Sequence, residues 1–555
     1  MLWRAKLPYA GIVLYVAVSF GLTKVGISTT EYTAKMFAGY VDFTTIVMPF
    51  LAVTVVSLVV GEISQVINGI CKATIDRNMR RTVWEKTVRL PYGYYSSDNP
   101  KELISRITTD SQQVSSLVMQ VFVGGITGAY SVIMTLKKIG SYDNKLMLAL
   151  LVVLPINVGI AIIVGKMQFG IGDIVNRKRA ALTEQIAESA ENMLLIKSVG
   201  TQMEEYEKGF GRAKVLYNKT VLNSWITSIS APAYTVSGMI QFMMIVLVGR
   251  SFYSQGAISL AEWVAYFAFA NTISNYLSGY CGDWQTFKSV QGATNRISKL
   301  LLEEEEDCES GEVFVGLEGD IKFTKVSFDY DELEIFKDLS FEIPQGKITA
   351  IIGPSGSGKT TILNLLERFY VVKSGDITIG KTNISILKLK DYRKALGYVT
   401  QETTMFTGTL RENLQRDGKY SEGEMLEACE AVGLSHLVKE DPKGLDMFIS
   451  EGGMNLSGGQ RQRIAIAAIL LKKPKYILLD EATSAVDILG KDRIFNKLKA
   501  NLKGSTIVMV AHDRQSIEKA DNIIVLQDGK ISGTGSLSEL KKSNSFVKEL
   551  MEDTE

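Results

Sequence analysis

Six apolar runs, at residues 7–25, 43–67, 114–136, 146–169, 226–252 and 261–281, constrain this chain more than any other feature. Each is near the roughly 20 residues that an α-helix needs to cross a bilayer. The 46% apolar content of the 555 residues is ordinary until its distribution is seen, because it concentrates in the first half. That half therefore reads as a membrane α-helical bundle of six transmembrane helices. Arg4 and Lys6 precede the first run as they would in a signal peptide, but no A-x-A-like site follows and the run is long, so it reads as a retained span.

Charge gives the bundle an orientation. The connection from the second run to the third carries Lys72, Arg77, Arg80, Arg81, Lys86, Arg89, Lys101 and Arg106. The connection from the fourth to the fifth carries Arg177, Lys178, Arg179, Lys197, Lys208, Arg212, Lys214 and Lys219. Basic connections stay cytoplasmic, so both belong inside although Lys137 and Lys138 fall on the outer side, and six spans put both termini in the cytoplasm. These connections are long, about 45 and 55 residues, and residues 80–90 and 180–206 show helical spacing. The membrane helices are thus expected to extend well into the cytoplasm. Glu62, acidic within the second run, either faces the bundle interior or marks the end of the span near Gly61.

The second half carries a different chemistry. Gly353-Pro354-Ser355-Gly356-Ser357-Gly358-Lys359-Thr360 fits GxxxxGK[ST] at every fixed position, after an apolar strand at 347–352 and before a helix at 361–370. Backbone N–H groups and a helix N-terminus then surround the phosphates of a nucleoside triphosphate. Gly353, Ser355, Gly356, Ser357, Gly358, Lys359, Thr360 and Thr361 are the candidate cradle, with Lys359 reaching the β and γ phosphates and Thr360 ligating Mg²⁺. Downstream, an apolar strand from Tyr476 ends in Asp480 and Glu481, a pair suited to a second magnesium ligand and a water-activating base. With 61 basic and 60 acidic residues there is no basic field for nucleic acid, and Cys71, Cys281, Cys308 and Cys429 form no CxxC pair, so neither a zinc site nor a disulfide framework is indicated.

Leu456-Ser457-Gly458-Gly459-Gln460 resembles the signature of ATP-binding cassette (ABC) proteins. The other cassette elements follow in the family's order. Tyr330 resembles the aromatic residue that stacks on adenine, and Gln401 the Q-loop glutamine that contacts Mg²⁺ and the attacking water. Ser484-Ala485-Val486-Asp487 resembles the D-loop, and His512 the switch histidine, with Asp513 where a basic residue is common. The resemblance implies that Glu481, His512 and Gln401 are catalytic, that Thr360, Gln401 and Asp480 hold the metal, and that Ser457, Gly458, Gly459 and Gln460 serve ATP held by another cassette. His436 has no motif around it and reads as structural.

The whole chain is similar to exporter-type half-transporters. That resemblance implies a six-helix membrane domain at 1–300, a linker at 301–318 that reads as solvated from Glu303 to Asp307, and an α/β P-loop ATPase domain with a helical subdomain at 319–555. Leu90 to Tyr95 and Leu195 to Val199 match the two short coupling helices of that family, with Val199 where phenylalanine is frequent. The implied activity is ATP-hydrolysing export of an amphiphilic peptide, lipid or drug-like substrate by alternating access, in a bacterial plasma membrane. The implied partner is a second copy of the chain, or a related half-transporter. An ATP-gated sensor or channel, or a lipid flippase, is the alternative. Met239, Met243, Met244, Trp263, Tyr266, Phe267 and Phe269 either line an adaptable cavity or pack against helices and lipid.

Overall fold

The computed structural model describes residues 6–97, 100–314, 316, 318–330, 333–482, 488–501 and 504–552. The chain divides into two compact units, Met1–Arg89 with Asp98–Glu303, and Leu90–Ser97 with Glu304–Glu555.

The first unit is helical. The six apolar runs lie on α1 (Tyr9–Phe37), α2 (Met48–Val88), a helical stretch ending in α3 (Gly124–Tyr142), α4 (Asn144–Glu191), α5 (Gln202–Ser254) and α6 (Leu260–Leu302). Among the described residues, Tyr9–Phe37, Phe43–Val88 and Glu102–Tyr142 are long and apolar enough to cross a membrane by length and composition. Helices α4, α5 and α6 run 48, 53 and 43 residues, about twice a bilayer crossing. α1 continues past the expected end at residue 25, and within the continuation Thr29, Thr30 and Thr33 satisfy their hydroxyls on carbonyls four residues back. It closes where Gly39 takes a left-handed φ of 89°. Asp110, almost fully buried, accepts two hydrogen bonds from Arg296 of α6, at 2.9 and 2.7 Å. α2 runs unbroken through Glu62 to Val88, so Glu62 lies within one continuous helix that extends past the apolar run, and it is exposed.

The second unit is built on two large sheets, beside a two-stranded pair of Gly408–Thr409 with Phe448–Ile449. The first is antiparallel, with β1 (Ile321–Tyr330) between β2 (Leu333–Ile343) and β4 (Ser374–Ile379). The second holds β3 (Ile348–Ile352), β6 (Leu396–Val399), β7 (Tyr476–Asp480), β8 (Thr506–Val510), β9 (Asn522–Gln527) and β10 (Lys530–Gly535) in the order β10-β9-β3-β8-β7-β6, the two-residue strand β5 being Thr382–Asn383 in the other sheet. β3, β7 and β8 are buried at every position, as strands covered on both faces must be, and this is why their sequences are continuous apolar runs without alternation. Parallel pairing aligns Val510 with both Ile351 and Asp480, so the carboxyl ends of all three strands emerge together. Ligands of such sheets bind at that edge.

Two expectations change here. In the run from Glu303 to Asp307, Glu304, Glu305 and Asp307 are exposed as a solvated linker would be, but Glu306 is docked, with Arg393 donating to both its carboxylate oxygens at 2.7 and 2.8 Å, and just beyond the run Lys388 and Lys390 each reach Glu309 at 2.8 Å. The charge run was read by composition alone, and its cations lie some 80 residues away in sequence. His436 is not structural in the sense of packing, because it is exposed on the short helix Ser435–Glu440 with Nδ1 2.8 Å from Glu440.

Candidate active site

The phosphate loop leaves β3 and enters α7 (Lys359–Leu366). Gly353 and Gly358 are glycine for steric reasons: a Cβ at Gly353 would lie 1.9 Å from the Leu526 carbonyl oxygen, and one at Gly358, where φ is +100°, 2.6 Å from the Phe336 ring. The helix starts two residues before the expected 361 and stops at Leu366, because Arg368 takes a left-handed φ of 55°. Lys359 is buried, and its Nζ donates to the carbonyls of Gly353 and Pro354 at 2.9 and 2.8 Å. Burial lowers its pKa, while the carboxylates of Glu481 and Asp480 oppose the shift. The ammonium is thus kept desolvated on two carbonyls inside the loop that would hold the phosphates.

At the end of β7 stand the two carboxylates. Burial raises the pKa of Asp480, which accepts a hydrogen bond from Thr360. Among the described residues, Asp480 Oδ1 and Ser357 Oγ are buried without a hydrogen-bond partner, a state that native structures rarely tolerate. A desolvated carboxylate oxygen beside a hydroxyl is the donor set of a hard divalent cation, so these residues fit Mg²⁺. Glu481 occupies a left-handed backbone position, φ 50°, which is strained for a residue with a Cβ and turns its carboxylate away from the strand. One carboxylate oxygen lies 2.7 Å from Nε2 of His512, two residues past β8, and the other accepts from Gln401 Nε2 at 3.0 Å. Glutamate, histidine and glutamine, widely separated in sequence, thus form one hydrogen-bonded group at the sheet edge that also carries Lys359 and Asp480.

The other expected residues lie elsewhere in the unit. Ser457 is exposed at the N-terminus of α8 (Gly458–Lys472), with Gly459 buried behind it. Ser457 N donates to Gln460 Oε1 at 2.8 Å and Gln460 N to Ser457 Oγ at 3.2 Å, a capping box in which Gln460 fixes the serine. Tyr330, half-buried at the end of β1, meets the rings of Tyr370 and Phe328 edge-on at 4.9 and 4.8 Å. Thr361 is buried inside α7. Residues 483–487, with the D-loop resemblance, lie outside the described residues. Asp513 caps the helix Arg514–Glu518 by accepting from Ser516 and pairs with Lys491 at 3.2 Å, a structural reason for an acid at that place.

Sequence reading missed three contributors. Gln462, buried on α8, donates to the Glu481 carbonyl at 3.5 Å. Phe369 and Tyr370 receive the short helix Tyr92–Ser97, with the Tyr92 ring stacked on Phe369 at 4.7 Å and edge-on to Tyr370 at 6.0 Å. The aromatic doublet just past the nucleotide-loop helix was the available signal. Leu195–Val199 falls on the short helix Met193–Val199, whose Leu194, Leu195 and Val199 are exposed.

Comparison with known proteins agrees with both halves of the chain. The family description ABC transporter transmembrane region matches residues 10–277, and ABC transporter matches residues 336–484. A multidrug resistance ABC transporter ATP-binding and permease protein of Lactococcus lactis subsp. lactis is 30% identical over 496 residues, covering 88% of this chain and 84% of that protein. An ATP-dependent lipid A-core flippase of Vibrio vulnificus is 30% identical over 507 residues, covering 86% and 83%. In fold the chain is similar to a bacterial Atm1-family ABC exporter solved with ATP bound, with a TM-score of 0.83, 21% identity, and coverage of 99% and 98%. Fused membrane and ATP-binding regions, each matched in its own half, show that this chain belongs to the ABC transporters, integral membrane proteins that couple an ATPase to transport.

Proposed function

We propose that the chain is one half of a dimeric ATP-driven exporter, with its membrane domain at 1–300, a linker at 301–318 and its nucleotide domain at 319–555. The observation that carries the reading is the Glu481 carboxylate held between His512 and Gln401 beside buried Lys359 and Asp480. In the proposed mechanism Glu481 receives the proton of the attacking water, Gln401 orients that water, and His512 holds the γ-phosphate. Lys359 leaves its two carbonyls for the β and γ phosphates, and Tyr330 stacks on adenine. Thr360, Asp480 and Gln401 would hold Mg²⁺, which when bound supplies positive charge to the phosphate oxygens. Ser457 and Gly459 act on ATP bound by the partner, since an exposed serine at a helix N-terminus is suited to a phosphate arriving from outside the chain.

A homodimer is the simplest assembly, because Glu481, His512 and the signature are all present in one chain. The sixteen basic residues of the two long connections support cytoplasmic termini and a plasma membrane setting. Relatives named for multidrug resistance and for lipid A-core transfer support an amphiphilic cargo. The direct test is Glu481→Gln in the purified full chain. ATP binding is expected to persist while turnover falls about a hundredfold or more. Turnover within a few-fold of the parent would remove Glu481 from the proposed role.

A further inference from the structure

The helical unit holds an open cavity of about 870 Å³ lined by residues of α1, α2, α3 and α6, large enough for a drug-sized molecule. Its lining differs from the methionine and aromatic set expected from sequence. Of that set Phe269 alone reaches it among the described residues, while Tyr266 is buried in the helix core and Met239 and Met243 are exposed on α5. Hydroxyl and amide side chains take their place. Glu62, one residue from lining Gly61, is off this surface.

What those hydroxyls offer a ligand follows from where their protons go. Thr23 donates to the Ser19 carbonyl at 3.1 Å, Thr30 to Gly26 at 2.9 Å, Thr127 to Gly124 at 3.1 Å and Thr272 to Ala268 at 3.0 Å. Thr30, Thr127 and Thr272 commit their protons to the helix backbone and turn lone pairs toward the cavity, while Thr23 also meets Ser131 at 2.6 Å, a contact in which either hydroxyl can donate. At one end sits Asp283, which accepts from Gln120 Nε2 at 3.0 Å. Among the described lining residues it is the sole carboxylate, and there is no lysine or arginine. Gln65, Asn68 and Asn275 bring both donors and acceptors to the wall, so the bias toward a cationic donor comes from Asp283 and the threonine oxygens, with no cation among the described lining residues to oppose it.

Taking the exporter reading as given, we propose that this cavity recognises a donor-rich protonated amine, seated on Asp283 with its remaining N–H groups on the threonine oxygens. The chemistry is shared by free polyamines and by amphiphiles with an amine head. Cations without N–H groups and anions are poor ligands.

The test uses the full chain in lipid nanodiscs, with binding measured calorimetrically and ATP turnover recorded in parallel. Spermidine or dodecylamine is expected to bind at least tenfold more tightly than tetraphenylphosphonium, which has charge but no donor, and citrate not at all. Binding by spermidine identifies the free amine, and binding by dodecylamine alone identifies an amphiphile's head. Either outcome supports the cavity assignment. Asp283→Asn is expected to weaken amine binding about tenfold, with Asp283→Glu recovering most of it. Thr127→Val, which keeps the shape and removes an acceptor, provides the second variant should Asp283→Asn fail to fold. Equal binding of tetraphenylphosphonium, or amine binding unaffected by Asp283→Asn and Thr127→Val, overturns the proposal. Turnover without amine binding removes this inference alone, whereas absence of Mg²⁺-dependent turnover removes the exporter reading and leaves the binding result to be judged by itself.

Discussion

Glu367 shows what a single buried acid costs this protein. It ends α7 with its side chain nearly inaccessible, and burial pushes its pKa up to about 7 against the pull of Arg393 and Lys472. An acid with a raised folded pKa binds more protons folded than unfolded, so its favourable contribution is complete below about pH 4.5 and is lost as pH rises toward 7. Glu367→Gln is therefore expected to stabilise the protein at pH 8, by an amount on the order of 3 kcal/mol, and to lose that advantage near pH 4.5. Denaturant midpoints at the two pH values decide it, and an equal effect at both would mean that the carboxyl titrates alike in the folded and unfolded states. The placement of Lys359, Asp480 and Glu481 could be read from spacing because a phosphate loop and a strand-end carboxylate pair are local in sequence. Glu367 could not, because its environment is assembled from residues 393 and 472.

At the scale of elements, the short helix Tyr92–Ser97, in sequence part of the long connection after α2, belongs to the nucleotide unit. Its Tyr92 meets Tyr370, and Tyr370 meets Tyr330, so a chain of edge-on rings runs from the connection to the residue proposed to carry adenine. Each such contact contributes about 0.5–1.5 kcal/mol beyond burial. Tyr370→Ala is expected to raise the KM for ATP severalfold and to uncouple hydrolysis from substrate, while Tyr370→Phe, which keeps the ring, behaves as the parent. Steady-state ATPase assays in lipid provide the check, and a phenylalanine variant as impaired as alanine would assign the effect to the hydroxyl instead. The first contact was anticipated as a coupling helix from the Leu90–Tyr95 pattern, but its receiving surface was not, since Phe369 and Tyr370 lie beyond the helix that was expected to contain them. The polar stripes of α1, α3 and α6 were missed for another reason. A search for apolar runs averages over the helix, and a stripe recurring every three or four residues disappears in that average.

The whole molecule divides its labour between a membrane bundle and a cassette proposed to work with a partner. The division was legible from hydropathy and motif order, because both follow from chemistry written within short windows. Catalysis shared between chains has a consequence that a self-sufficient cassette lacks. Lys359→Ala removes the phosphate contact and Ser457→Arg blocks the signature, so either homodimer has no intact composite site, whereas a mixed dimer retains one. Mixtures are expected to recover nucleotide occlusion that neither parent shows, measured by trapped labelled ATP after gel filtration. Mixtures no better than their parents would mean that loop and signature act within one chain.

The central claim is that hydrolysis at Glu481 drives cargo away from the cassette side of the membrane. It is tested most directly in proteoliposomes with the cassettes outward, loaded separately with labelled spermidine, labelled dodecylamine and a fluorescent lipid in the bath. With Mg²⁺ and ATP outside, at least one of these is expected to accumulate in the lumen above its equilibrium level, and Glu481→Gln vesicles are expected to show none of that excess. ATP-driven loss of cargo from preloaded vesicles of the same orientation, or accumulation undiminished by Glu481→Gln, would contradict it.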